Sequence, residues 1–578
     1  MVTLTIDGQT LTVPENTTIL EAARSAGISI PTLCYLKDTN EIGACRICVV
    51  EVEGCDKLVS SCNNVVAQGM TVNTHSPRVI ASRRETMALI LSRHRSECTT
   101  CVRSGNCTLQ STARALNVTR IPYATDYDNQ KNPTDFPLVR DATKCISCMR
   151  CVNECKKVQN LNVWDLTQTG SRAHVGTAGC ADITQAACSL CGQCITHCPC
   201  GALTARDDTQ IAFDAIADPE RIVIAQFAPS VRTAWAEGLG LTPDQATTGR
   251  MVAAARRLGF DYVFDTDFAA DMTIMEEGTE LLSHLKEHPG EPMFTSCCPG
   301  WVRFLKARHP QLVGHLSSTK SPQQIFGAIA KNYYADLLEV APEKICLISF
   351  MPCVAKKEEI TYPDMDTTGT GQDVEAVLTT REFTRMIQAS FIDAASLPEE
   401  EFDMPLGAAT GAGHIFGATG GVMEAALRSA YFLATGENPD PDAFSAVRGR
   451  EGWRETSFQL PGKELKVAIA SGLENAHKLC CAIEAGEADY DFVEVMACPG
   501  GCVGGGGQPI HEGQECAFER ELILRDIDEK SPLRFSHENP SVVECYEKYF
   551  GAPNSELAEK LLHSDHALWS MPAARVEN

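Results

Sequence analysis

The sequence contains no run of 18 or more apolar residues, so no membrane-spanning helix is expected. Positive charge is scarce: 50 Lys and Arg face 75 Asp and Glu, a formal charge of -25, and no local basic patch interrupts it. Nucleic acid and anionic membrane surfaces are therefore poor partners. No Gly-x-Gly-x-x-Gly stretch follows a strand-like run, and Gly504 to Gly507 are not followed by Lys-Ser/Thr. Neither a flavin or nicotinamide site nor a phosphate loop is expected in this chain. The opening MVTLTIDGQTLTV alternates like a strand rather than a secretion leader, and Ala573 to Asn578 carry no lipidation motif. These absences point to a cytoplasmic, reducing setting without membrane insertion, where thiols stay available as metal ligands.

Cysteine is what the chain has in excess: 28 of 578 residues, 18 of them in the first 200. A chain this long needs no disulfide staples, so the spacing of the thiols carries the information. Cys34, Cys45, Cys48 and Cys62 read C-x10-C-x2-C-x13-C beside the small Gly43 and Ala44, which suits a 2Fe-2S cluster, with structural zinc as the rival. His94, Cys98, Cys101 and Cys107 follow as H-x3-C-x2-C-x5-C. Three thiolates leave one corner open, and His94 lies one helical turn from Cys98, so an imidazole is the expected fourth ligand. Then come two C-x2-C-x2-C-x3-C runs, the second ending in Cys-Pro. The crossover of such runs assigns Cys145, Cys148, Cys151 and Cys198 to one 4Fe-4S cluster and Cys188, Cys191, Cys194 and Cys155 to the other.

Beyond Asp208 the pattern changes to apolar runs (222–227, 262–264, 345–350, 465–469) alternating with helical stretches (231–239, 247–258, 269–287, 322–338, 421–434), a large α/β region with ligand-bearing loops at strand ends. The earlier part reads as a hairpin (2–6, 10–13, turning at Asp7-Gly8), a helix 18–26, a helix 77–93 and a linker from Asp126 to Pro137. Expected domains are 1–78, 79–125, 126–208 and 209–578. In the last of them Cys298, Cys353, Cys498 and Cys502 each follow an apolar run, and would close a further cubane if their loops converge. Glu277 and Glu280 are three apart on one side of a helix beside Glu276; either they begin an acid–base route through Cys297 and Ser317 or they form a solvated acidic face. A chain of this size has a radius of gyration of roughly 25 Å, too wide for one electron jump, which several clusters in series solve. Electrons must then be exchanged with another protein.

Residues 295–301 (TSCCPGW), 351–359 (MPCVAKKEE) and 494–509 (EVMACPGGCVGGGGQP) resemble the three signatures of the iron-only, or FeFe, hydrogenases, supported by SSTKSPQQIFGA (317–328) and GHIFGATGGVMEAALRSA (413–430). The resemblance spans essentially the whole chain. It implies a multidomain α/β protein: a 2Fe-2S ferredoxin-like (β-grasp) domain, a 4Fe-4S domain with one histidine and three cysteine ligands, a two-cluster ferredoxin-like domain, and a large two-lobed α/β catalytic domain. It also implies reversible hydrogen oxidation and proton reduction at an H-cluster, a 4Fe-4S cubane on Cys298, Cys353, Cys498 and Cys502, with Cys502 bridging to a two-iron subsite carrying CO, CN and azadithiolate ligands. By the same resemblance Cys297 passes protons to the subsite, continued by Glu277, Ser317 and Glu280, and Lys356 faces one cyanide. Pro229 and Ser230 lie near the other, and Gln323, Met351, Phe416 and Met496 pack around the subsite. Implied partners are ferredoxin or a flavin- and NAD(P)-binding subunit, and dedicated assembly proteins. Two other readings stand beside this one: an iron–sulfur electron-transfer subunit of an NADH or formate dehydrogenase, which would share only the first 200 residues, and a hydrogen sensor. Cys55, Cys180, Cys200, Cys346, Cys480, Cys481, Cys516 and Cys545 have no place in these ligand sets.

Overall fold

The computed structural model describes residues 1–128, 133–170, 173–460, 462–512 and 514–574. Residues 129–132 of the expected linker and the last four residues of the C-terminus lie outside them. The chain divides into two compact units, Met1–Val158 with Asn162–Thr184 and His197–Thr204, and Gln159–Leu161 with Gln185–Thr196 and Ala205–Asn578. The segment carrying Cys188, Cys191 and Cys194 thus belongs to the second unit, with the large α/β region.

In the first unit, β1 (Val2–Ile6) and β2 (Gln9–Val13) form a hairpin with Ile6 opposite Gln9. Both turn residues, Asp7 and Gly8, have positive φ, as a two-residue turn of this hand requires. β3 (Val49–Val52), β4 (Val59–Ser60) and β5 (Thr71–Asn73) complete a mixed five-stranded sheet, order β2-β1-β5-β3-β4. The helix Ile19–Ser25, capped by the Thr18 hydroxyl, buries Ile19, Leu20, Ala22 and Ala23 against it. Pro77–Ser92 is helical as expected. β6 (Leu138–Arg140) pairs with β9 (Leu203–Ala205), and β7 (Trp164–Thr167) with β8 (His174–Thr177).

The second unit has two four-stranded sheets. β10 (Ile222–Phe227), β11 (Tyr262–Asp265), β13 (Ile345–Met351) and β14 (Ala376–Thr379) form a parallel sheet in the order β11-β10-β13-β14. β12 (Met293–Phe294), β15 (Trp453–Leu460), β16 (Lys463–Ser471) and β17 (Phe492–Met496) form the other, order β12-β17-β16-β15. β10, β13 and β17 are buried almost throughout, as strands inside a sheet covered on both faces are, whereas β15, an antiparallel edge, alternates toward solvent. Each sheet has its own core, the first around Phe227, Phe350 and Phe383, the second around Leu427, Ile469 and Phe492. One expected helix does not form: residues 231–239 are hydrogen-bonded turns. The Thr384 hydroxyl and the Gln388 amide bind the carbonyls of Trp235 and Gly238, which helical continuation would need. The helix begun at Pro322 runs to Ile329 and passes through a wider turn over Ala330–Tyr334. Among the described residues no helix is long and apolar enough to cross a membrane.

Candidate metal and proton-transfer site

In the first unit the thiols gather by local turns. Cys34 stands beside Cys45 and Cys48 beside Cys62, and the partner thiol lowers Cys45 and Cys48 below the usual range. His94, Cys98, Cys101 and Cys107 line one pocket with Lys144 and Gly201. His94 Nδ1 lies 2.8 Å from the Lys144 carbonyl, so Nδ1 carries the proton and Nε2 keeps the lone pair a metal needs. A side chain at Gly201 would stand 2.6 Å from Cys101 Sγ, so only glycine leaves that thiol its place. Cys145, Cys148, Cys151 and Cys198 line a second pocket, together with Cys200. Cys200 lies 3.9 Å from Cys198 and 3.2 Å from the Lys144 carbonyl, to which its thiol donates.

In the second unit the ends of parallel strands deliver the remaining cysteines of the candidate sites. β13 ends at Met351 and leads to Cys353, β17 ends at Met496 and leads to Cys498 and Cys502, and β12 leads to Cys297 and Cys298. Pro229 and Ser230 follow β10 in a tight turn. Loops at the carboxyl ends of parallel strands are where such folds place their sites. Burial raises the thiols of Cys298, Cys353, Cys498 and Cys502; the charge of Cys298 adds to this at Cys353, and the charges of Cys298 and Cys353 add to it at Cys498 and Cys502, so the four stand near one another. Cys297, Cys298, Cys353 and Cys502 retain accessible surface although the strands feeding them are buried. Four thiols brought near one another in this way suit an iron–sulfur cubane. The glycines after Cys502 serve close packing: a side chain at Gly505 would stand 2.2 Å from the Pro352 carbonyl, which also accepts the Gly507 N–H at 2.7 Å. The Cys191 carbonyl accepts from Cys498 Sγ at 3.6 Å, and the Gln193 amide donates to the Gly504 carbonyl at 2.9 Å, which sets the Cys188–Cys194 segment against the same loop.

Around the thiols, Lys356 donates to Glu359 at 2.8 Å and 2.9 Å and to the Cys297 carbonyl at 3.2 Å. Burial pushes the ammonium down, and Glu359 more than offsets it, so Lys356 stays charged. Gln323 donates to Glu359 at 3.0 Å and accepts from Ser349 at 2.9 Å. Ser230 Oγ and Gln508 Oε1 are buried without hydrogen-bond partners, two polar atoms available to a bound group. Phe416 and Met496 belong to the core on the Cys298 side and Met351 to the core on the Cys353 side.

The helix Thr266–Glu287 carries the carboxylates. Burial first, and then the charge of Glu280, raise Glu277 to about 8, against the pull of the Ser317 hydroxyl and the Ser296 N–H. One Glu277 oxygen has no partner. Burial, then the Glu277 charge, hold the Cys297 thiol well above its usual range. Ser317 donates to Glu280 at 2.6 Å. The structure therefore brings Cys297, Glu277, Ser317 and Glu280 together, and the solvated acidic face is not what forms. Glu276, the adjacent carboxylate, turns elsewhere and binds Tyr546, the Asn554 N–H and His563. Ser318, Thr319 and His563 were missed in the sequence: Ser318 and Thr319 also donate to Glu280, and His563 Nδ1 lies 2.7 Å from Ser318 Oγ. Ser318 and Thr319 neighbour a named residue and could have been found; His563 lies 245 positions from Ser318 with no local signal.

Four known families match along the chain: a 2Fe-2S iron-sulfur cluster binding domain over residues 1–77, the NADH-ubiquinone oxidoreductase-G iron-sulfur binding region over 83–122, the C-terminal domain of the iron only hydrogenase large chain over 221–506, and the iron hydrogenase small subunit over 518–567. The NADP-reducing hydrogenase subunit HndD of Solidesulfovibrio fructosivorans is 46% identical over 98% of this chain and 99% of its own length. Iron hydrogenase 1 of Clostridium pasteurianum is 39% identical over 97% of this chain and 99% of its own. A solved FeFe-hydrogenase, HydA(deltaEFG), reported on stepwise H-cluster assembly, superimposes with a TM-score of 0.56 at 41% identity, covering 64% of this chain and 99% of that one.

Proposed function

We propose that this chain, which belongs to the iron-only hydrogenase family and interconverts hydrogen with protons and electrons through an H-cluster-type catalytic domain and iron–sulfur relay, holds its catalytic cubane on Cys298, Cys353, Cys498 and Cys502, with Cys502 bridging to a two-iron subsite. The two-iron subsite with its CO, CN and azadithiolate ligands supplies the hydrogen chemistry when bound. The chain's own residues do the rest. Cys297 gives and takes the proton at Sγ, Glu277 relays it in its neutral form, and Ser317 hands it to Glu280 toward the surface. Lys356, kept charged by Glu359, presents a fixed ammonium to an anionic ligand, and Ser230 offers its unpartnered hydroxyl. Gln323, Met351, Phe416 and Met496 restrict water.

The relay in this reading consists of a 2Fe-2S cluster on Cys34, Cys45, Cys48 and Cys62 in a β-grasp domain, a 4Fe-4S cluster on His94, Cys98, Cys101 and Cys107, and two 4Fe-4S clusters of ferredoxin type, with the domain limits 1–78, 79–125, 126–208 and 209–578. The crossover spacing carries the last two ligand sets. The full-length likeness to an NADP-reducing hydrogenase subunit favours a cytoplasmic chain that exchanges electrons with a flavin- and NAD(P)-binding partner or with ferredoxin. The likeness to HydA(deltaEFG) favours dedicated assembly proteins for the two-iron unit.

The observation that carries the proton assignment is the buried Glu277, held near neutrality beside Cys297 and next to the Ser317–Glu280 hydrogen bond. Matured protein should exchange electrons between hydrogen and a viologen dye. Cys297→Ala should lose most of that rate with iron content intact, while Cys298→Ala should lose cluster as well. Full activity in Cys297→Ala with the two-iron unit present would overturn the path.

A further inference from the structure

Away from the five cysteine sets, three metal-ligating side chains meet where two helices of the second unit come together. His309 closes the C-terminal end of the helix Pro299–Arg308, and His477, Cys481 and Glu484 lie on one face of the helix Leu473–Glu484, four and seven positions apart. His309 is 3% exposed, His477 half-buried and Cys481 exposed, so the cluster opens to solvent on one side. His309 Nδ1 lies 2.6 Å from Glu484 Oε1, which fixes the proton on Nδ1 and leaves the Nε2 lone pair pointing at His477 Nδ1, 2.9 Å away. Cys481 Sγ is 3.8 Å from both Nδ1 and Nε2 of His477, and one ligand atom from each of the three residues lies within 4.8 Å of the others. A histidine held by a carboxylate on one nitrogen, with a second imidazole and a thiol at the other, is the ligand arrangement of a zinc site with its outer partner already in place.

We propose that His309 Nε2, His477 Nδ1 and Cys481 Sγ bind one divalent cation of the zinc class, with water in the fourth position. In a tetrahedral zinc site, nitrogens stand roughly 3.3 Å apart and sulfur about 3.6 Å from nitrogen. The rings must part by about 0.4 Å from their present 2.9 Å, and the thiol must close by about 0.2 Å. Zinc entry shifts the His477 proton from Nδ1 to Nε2 and displaces the Cys481 thiol proton to solvent, and no electron moves. Glu484 and Glu474 face the site with negative charge and Arg308 with positive charge. Arg308 is itself bound to Asn160 at 2.5 Å. The other three-residue cluster, Asp265, Asp267 and His414, differs in that Arg232 already supplies its positive charge.

Zinc here joins the C-terminal end of the helix whose N-terminal cap is Cys298 to the helix that follows β16. That helix of 10 residues is about 15 Å long, so the proposed ion is separate from the cluster ligands and acts as a staple for the element that carries one of them.

The test uses cluster-loaded enzyme equilibrated with micromolar free Zn2+ and dialysed. Zinc and iron are counted, and zinc K-edge absorption reads the zinc environment without interference from iron. The expected result is about one zinc per chain beyond the cluster sites, with one sulfur at about 2.3 Å and two imidazole nitrogens at about 2.0–2.1 Å. His477→Gln and Cys481→Ser should each lose that zinc with iron unchanged, and Glu484→Gln should weaken binding about 10- to 100-fold. One proton should be released per zinc bound. No retained zinc in the wild-type enzyme, zinc surrounded by sulfur alone, or equal zinc in wild type and both ligand variants would each overturn the proposal.

Discussion

Glu277→Gln isolates the proton path from everything else the site does, because the substitution keeps the side chain's shape and removes only its titration. Burial and the neighbouring Glu280 raise the carboxyl from 4.5 to about 8, which corresponds to about 5 kcal/mol in favour of the neutral form. At pH 7 the folded chain therefore holds this proton while the unfolded chain has lost it. Stability contributed by the group is complete below about pH 4.5 and is lost as pH rises through about 8. Across that window the Gln variant should gain on wild type by about 1.4 kcal/mol per pH unit. Infrared titration of the buried carboxyl C=O band reads the same proton directly: a band present at pH 6, fading with a midpoint near 8 and absent from the Gln variant. Hydrogen turnover should fall by a factor of roughly 10²–10⁴, the usual worth of a positioned proton donor, with iron content unchanged. A carboxyl band titrating near 4.5 would refute the burial argument. Undiminished turnover in Glu277→Gln would refute the path itself.

Three further expectations follow from the same geometry. His94→Cys should keep a cluster but lower its reduction potential in redox titration, because a neutral imidazole becomes a thiolate and the Lys144 hydrogen bond is lost; an unchanged potential would remove His94 from the ligand set. Lys356→Met should destabilise the protein by about 3–5 kcal/mol by stranding the buried Glu359, and adding Glu359→Gln should recover much of that, a coupling measured by a double-mutant cycle. Full occupancy should give roughly 20 irons per chain, and roughly 18 with no activity from a host lacking the assembly proteins, by iron and sulfide analysis.

What the sequence made legible was whatever lies within one turn of chain. The C-x2-C runs and the H-x3-C set needed no tertiary contact to be read, and the continuous apolar runs of β10 and β13 announced a parallel sheet. Convergence was not legible in that way. Cys298, Cys353 and Cys498 lie on loops after three strands of two different sheets, and only the family signatures tied them together. Glu276 and Glu277 are indistinguishable as neighbours in sequence. They differ because consecutive helix positions point about 100° apart, one toward Cys297 and the other toward Tyr546 and His563. Residues 231–239 misled for the converse reason: their local pattern is helical, and side chains from the helix Thr380–Ala389 take the carbonyls that would have sustained it.

In the proposed arrangement protons and electrons reach one place without sharing a route, and the pair Cys297-Cys298 is what would separate them. Cys298 is extended (φ -100°, ψ 99°) and begins a helix directly after Cys297. Successive side chains of an extended segment point to opposite sides. One thiol can therefore join Cys353, Cys498 and Cys502 while its neighbour turns to Glu277, and no other spacing of two cysteines gives that division in so short a span. On the electron side, the loop of Cys498 meets the segment of Cys191, with a sulfur and a carbonyl 3.6 Å apart. On the proton side, the groups that follow Cys297 all sit on the helix Thr266–Glu287 or on the loop 317–319. Neither set of contacts includes a residue of the other, so a substitution on the proton side should change turnover and its pH profile while leaving the cluster potentials where they were.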